Sequence, residues 1–90
     1  MKPIRWTPHA QQNLLDREIA QVEADKTLVA PEFIVPGQFP RMVYMRRYDD
    51  ALLQQEMLLR VIIEETIAEI VVVSVYKTSQ IGRYLRGLMP

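Results

Sequence analysis

An arginine inside an apolar run is the first chemical oddity of this chain. Arg60 stands in Leu58-Leu59-Arg60-Val61-Ile62-Ile63, where a guanidinium has to pair with an acid or face a groove. In a groove it can grip a phosphate or carboxylate with two parallel hydrogen bonds. A structural salt bridge, to Glu64 or to an acid of the first helix, is the equal alternative. A second concentration closes the last apolar run: Tyr76, Lys77, Thr78 and Ser79, then Arg83 and Tyr84. Phenol, ammonium and guanidinium groups together suit phosphoryl chemistry, where fixed cations offset charge developing in the transition state. Rings beside cations also suit stacking on single-stranded bases. The plainer reading is a strand end with solvated charges and a tyrosine that caps the core.

His9 is the only histidine. Asn13, Asp16 and Arg17 follow at spacings that bring side chains together on a helix. The group suits a general acid or base oriented by a neighbour, since histidine titrates near neutrality. The competing role is packing at the helix start with a hydrogen bond to a carbonyl. Zinc is not expected, because the remaining ligands would be carboxylates without motif spacing, and no cofactor is implied. With no cysteine, disulfides, thiolate metal sites and a cysteine nucleophile are excluded. Gly37, Gly82 and Gly87 form no phosphate-binding loop, dinucleotide fingerprint or nucleophile elbow.

These groups need a scaffold. Ninety residues, 49% apolar and 24% charged, fit one globular domain spanning 1–90. Eleven basic and eleven acidic side chains cancel, which argues against coating duplex nucleic acid by bulk charge. Local imbalance survives: Lys77, Arg83 and Arg86 follow the last strand with no acid among them, while Glu64, Glu65 and Glu69 crowd one turn. The longest apolar run, Ile70-Val71-Val72-Val73, is far too short to span a bilayer, and the N-terminus shows no signal pattern. A cytoplasmic protein without membrane contact is the expectation.

Ile4-Arg5-Trp6 reads as a short extended lead-in. Thr7-Pro8 starts a helix, with Thr7 as N-cap and Pro8 at the first helical position, running through Arg17. A second helix covers 20–29 and ends at Ala30-Pro31, because the residue before proline avoids helical angles. Residues 32–35 form a short strand, 36–40 a turn, 41–48 a strand and 49–55 a polar loop. Long strands at 56–64 and 69–78 follow, and 79–88 is a helical turn or a tail. A register that keeps one face dry sets Leu59, Val61 and Ile63 against Val71, Val73 and Val75. Arg60, Ser74 and Tyr76 then share the opposite face, near enough to touch one ligand. The expected fold is α+β, with two helices on one face of an antiparallel sheet of about four strands.

The residue order resembles a widespread family of small bacterial and archaeal domains of unknown function. Its members pair a His-Ala helix, here His9-Ala10, with a strand ending in Val-x-Tyr, the place taken here by Ile70-Val71-Val72-Val73-Ser74-Val75-Tyr76. Arg17, Leu59-Arg60-Val61-Ile62, Lys77-Thr78 and Arg83-Tyr84 belong to the same pattern. More distantly, the chain is similar to the RelE/ParE and BrnT toxin superfamily, whose fold sets two N-terminal helices on a small antiparallel sheet. That resemblance implies a metal-independent endoribonuclease in a toxin–antitoxin-type module, with RNA and a cognate antitoxin as partners. It assigns phosphate stabilisation to Arg60 and Lys77 and proton transfer to Tyr76 or His9. Arg17, Ser74, Ser79, Arg83 and Tyr84 become substrate-binding positions. The neutral charge and the Glu64-Glu65 turn depart from the basic character of such toxins. Two readings stand beside it: a non-catalytic domain that binds a protein or a small anion, and self-association into a homo-oligomer through an exposed sheet edge.

Overall fold

Local rules set the first elements of the computed structural model, which describes residues 2–88. The Thr7 hydroxyl accepts the Ala10 N–H at 3.1 Å and Pro8 follows, so α1 spans Pro8–Asp16. Its far end is a Schellman closure. Ile19 N–H reaches the Leu14 carbonyl at 2.9 Å, and Glu18 N–H reaches that of Leu15 at 3.3 Å. Glu18 carries the left-handed turn at φ 53°, where glycine is the usual residue. The closure sets Ile19 beside Leu14, and both are buried. α2 (Gln21–Val29) has Glu23 in its first turn, and Ala30 caps it ahead of Pro31.

The strands are β1 (Ile4–Trp6), β2 (Phe33–Pro36), β3 (Met42–Asp50), β4 (Gln55–Glu65) and β5 (Ile70–Thr78), and a short α3 (Ile81–Leu85) follows. They form one five-stranded sheet in the order β1-β5-β4-β3-β2. β1 runs parallel to β5, and the other neighbours are antiparallel. The fold is α+β, but the expected sheet of about four antiparallel strands is corrected to a mixed sheet of five. The added strand is the Ile4-Arg5-Trp6 lead-in, which pairs with Ile70, Val71 and Val72. β3 also runs past its expected end, because Asp49 and Asp50 pair with Glu56 and Gln55.

Helices α1 and α2 cover one face. Leu59, Val61, Ile63, Val72 and Val75 meet Ala10, Leu14, Ala24 and Leu28 there. On the opposite face, Leu85 of α3 joins Val43, Met45 and Leu58, with Ile62 and Tyr84 packed around them. Leu85 is 2% exposed, and such burial contributes roughly 2 kcal/mol. That holds a helix too short to form alone.

The β4–β5 ladder pairs Arg60 with Tyr76, Val61 with Val75 and Ile62 with Ser74. One residue of β5 is then skipped, so that Ile63 pairs with Val72 and Val73 bulges. The bulge inverts the alternation beyond it. Val72, rather than the expected Val71 and Val73, enters the helix-side core. Past Val72 the outer side of β5 has no strand partner among the described residues, and α1 takes that place. Thr7 N–H donates to the Val72 carbonyl at 3.2 Å, and Val75 N–H donates to Asn13 Oδ1 at 3.1 Å. Arg17 Nη1 donates to the Val75 carbonyl at 2.7 Å. Side chains thereby satisfy ladder groups that an open edge would expose. The other edge, β2, is four residues long and ends at Pro36, a short platform for strand addition.

Candidate functional site

Strand pairing and α3 together assemble a cation–aromatic cluster on the sheet face away from α1 and α2. Tyr76 faces Arg60 across the β4–β5 ladder, and α3 brings Tyr84 over the same spot. The Arg60 guanidinium carbon lies 4.2 Å from the Tyr84 ring centroid and 5.1 Å from that of Tyr76. Both fall within cation–π range. Arg83 flanks the same Tyr84 ring at 5.7 Å, and its Nη1 also donates to Gln80 Oε1 at 3.3 Å. The guanidinium is half-buried, and its one protein hydrogen bond runs from Nε to the soft Met45 Sδ at 3.4 Å. Among the described residues, its terminal nitrogens have no hydrogen-bond partner.

Among the described residues, no carboxylate pairs with Arg60. The choice between a groove and a structural salt bridge therefore resolves into a third arrangement, a cation held by aromatic faces. Burial lowers the Arg60 pKa from its ordinary value, which expresses the cost of keeping this charge partly out of water. An anion would relieve that cost. The acidic β4–β5 turn does not supply one. Glu64, which shares the face of Arg60, lies four residues away along β4, roughly 13 Å at strand spacing. Lys2, Arg41 and Arg5 pair with Glu65, Glu64 and Glu69 at 2.7, 2.9 and 2.9 Å.

The remaining expected site residues are dispersed. Lys77 follows Tyr76 in the strand, points to the helix side and donates to Asp50 Oδ2 at 2.7 Å and the Glu18 carbonyl at 3.0 Å. It cannot share an anion with Arg60. His9 is exposed on α1, across the sheet from the cluster. The Arg17 guanidinium is committed to the Val75 carbonyl, and the Ser74 hydroxyl donates to Asn13 Oδ1 at 2.9 Å. Ser79 is exposed just past the end of β5. The structure thus gathers Arg60, Tyr76, Arg83 and Tyr84, while His9, Lys77, Arg17 and Ser74 belong to the other side or to the β5 edge.

Asp50 organises that other side, and sequence reasoning missed it. Its Oδ1 accepts the N–H groups of Leu52 and Leu53, both at 3.0 Å, and fixes the β3–β4 turn. Its Oδ2 accepts from Lys77 and from the Tyr48 hydroxyl at 3.0 Å. The Lys77 bond leads in holding the Asp50 carboxyl down at about 2 against an ordinary 3.8. Burial and the neighbouring carboxylate raise the Tyr48 pKa, so that phenol stays protonated. The pair is structural, with side chains 11% and 5% exposed.

Chemically, the Arg60 cluster can bind and polarise an anion. Phenol hydroxyls are its only local proton carriers among the described residues. The chain is thus an α+β domain with a cation–aromatic cluster on the sheet face opposite its two longer helices. Comparison with protein-family models, curated proteins and solved structures gives no match. Among the described residues, no helix is long and apolar enough to cross a membrane.

Proposed function

We propose that the Arg60–Tyr84 face binds single-stranded RNA through its phosphates, as part of a toxin–antitoxin-type module. One observation carries this reading: a half-buried guanidinium is stacked on tyrosine with no carboxylate partner among the described residues. A phosphate would restore the charge balance through the free terminal nitrogens. Exposed Arg83 offers a second phosphate contact, and the tyrosine hydroxyls offer hydrogen bonds to ribose or base edges. The reading draws on the resemblance to the RelE/ParE and BrnT superfamily, and two N-terminal helices packed on the sheet support it. Binding is the better-supported half of that resemblance. His9 and Lys77, which the nuclease reading would use, lie away from Arg60. A non-catalytic interaction domain is therefore the second reading.

The test is fluorescence anisotropy with a short labelled single-stranded RNA, titrated over a range of salt. Two phosphate contacts predict a slope of about −1.4 in log affinity against log salt. Arg60→Met should weaken binding about tenfold or more, and Arg60→Met/Arg83→Ala should flatten the slope. An RNA-integrity gel run beside it separates binding from cleavage. Absence of RNA binding, or binding indifferent to both arginines, refutes the reading.

A further inference from the structure

We propose that the groove between the α1–α2 corner and the β3–β4 turn docks an amphipathic segment of a partner protein, one carrying lysine or arginine beside leucine-sized side chains. The groove is an open cavity of about 450 Å³ with Leu14, Ile19 and Tyr48 among its walls. A second depression of about 380 Å³ shares Leu14, Leu15 and Ile19 with it and extends it along α1. Leu15 and Leu52 form the shoulders, 74% and 70% exposed. Exposed leucines facing a common groove are where an apolar partner gains most from leaving water.

Both shoulders are held in advance. Leu15 lies in the Schellman closure of α1, and Leu52 is fixed by its N–H to Asp50. Little ordering cost is left for binding. The charge of the rim selects the partner. The charged residues that line the groove are all acidic: Glu18, Glu23 and Asp50 stand along it, and Asp49 turns its side chain to the opposite face of β3 from Tyr48 and Asp50. Arg46 and Lys77 pair with Glu23 and Asp50. Glu18 carries no ion-pair partner among the described residues. This potential repels nucleic acid and favours a cationic peptide. It also opposes a two-fold pairing of two copies, which would set the same acids face to face.

The groove lies on the opposite side of the sheet from Arg60, so this inference is independent of the RNA reading. The probe is an amphipathic leucine–lysine peptide of about five helical turns, with a leucine–glutamate peptide as control. Binding is followed by calorimetry and by amide shifts of the labelled domain. The expected result is binding of the lysine peptide alone, with shifts centred on Leu15, Ile19 and Leu52. Leu15→Ser/Leu52→Ser should weaken it about tenfold or more. Glu18→Lys should weaken the lysine peptide and admit the glutamate peptide. Both variants change exposed residues, and far-UV circular dichroism confirms that they are folded. No binding, equal binding of the two peptides, or shifts confined to the Arg60 face overturns the proposal. So does a dimer in sedimentation that Leu15→Ser/Leu52→Ser dissolves, because the groove would then belong to a second copy.

Discussion

Replacing Asp50 with asparagine separates structural from chemical roles for Lys77. The Asp50 carboxyl titrates at about 2 in the folded protein against an ordinary 3.8. At about 1.4 kcal/mol per pH unit, that gap supplies about 2 kcal/mol of stability. Asparagine keeps an oxygen for the Leu52 and Leu53 N–H groups but strands Lys77, whose side chain is 11% exposed. Removing one partner of a buried pair adds a further penalty, so the total loss at neutral pH is about 2–4 kcal/mol. The sign in acid is fixed. Below about 3.8 the unfolded chain takes up a proton that the folded chain refuses until about 2. The contribution is therefore complete above pH 5 or so and disappears as pH falls through that window. Urea unfolding of both proteins from pH 7 to pH 2 measures it. The difference between them should shrink toward acid, and Asp50→Asn/Lys77→Met should recover part of the loss in a double-mutant cycle. Parallel acid limbs, or a neutral-pH difference below about 0.5 kcal/mol, would falsify the reasoning and return Lys77 to the list of free cations.

Further outcomes can be stated together. Arg60→Met should change stability by less than about 1 kcal/mol in urea unfolding, because a desolvated cation without an acid is replaced by an apolar isostere. A large loss would make Arg60 a structural residue. Asn13→Ala should cost about 1–3 kcal/mol by leaving the Val75 N–H and the Ser74 hydroxyl without their acceptor, read by the same method. Glu18→Gly should raise stability by about 0.5–1 kcal/mol, since glycine carries the left-handed angle without strain. Thermal unfolding would show this as a higher midpoint.

The helices and the long strands were readable because capping and proline chemistry act over a few residues. Thr7-Pro8 and Ala30-Pro31 mark boundaries with no help from the rest of the chain. β1 was not readable as a strand. Three residues carry no periodicity, and the partner, Ile70, is far along the sequence. The bulge at Val73 was hidden for a different reason: in a run of isoleucine and valines every position is apolar, so alternation cannot report an inversion. For the site, the placement of Arg60 opposite Tyr76 followed from register. The separation of Tyr76 from Lys77 was available too, since adjacent strand residues face opposite ways. The Lys77–Asp50 pair was not, because its partners lie 27 positions apart on strands that are not neighbours.

The seal that α1 places on β5 also dictates when the chain can fold. Its bonds from Thr7 and Asn13 join residues separated by 61 to 66 positions. During synthesis, α1 and α2 leave the ribosome long before the strands they pack on exist. Their apolar stripes must wait, and nine-residue helices are marginal without a surface to lie on. Loop closure over such a span precedes any reward from the contacts, which slows the reaction. A nascent chain halted between α2 and β5 carries both helical segments and none of the edge that α1 closes. Folding of this domain is thus a late event gated by its last strand, and the exposed N-terminal stripe is what a chaperone would meet first.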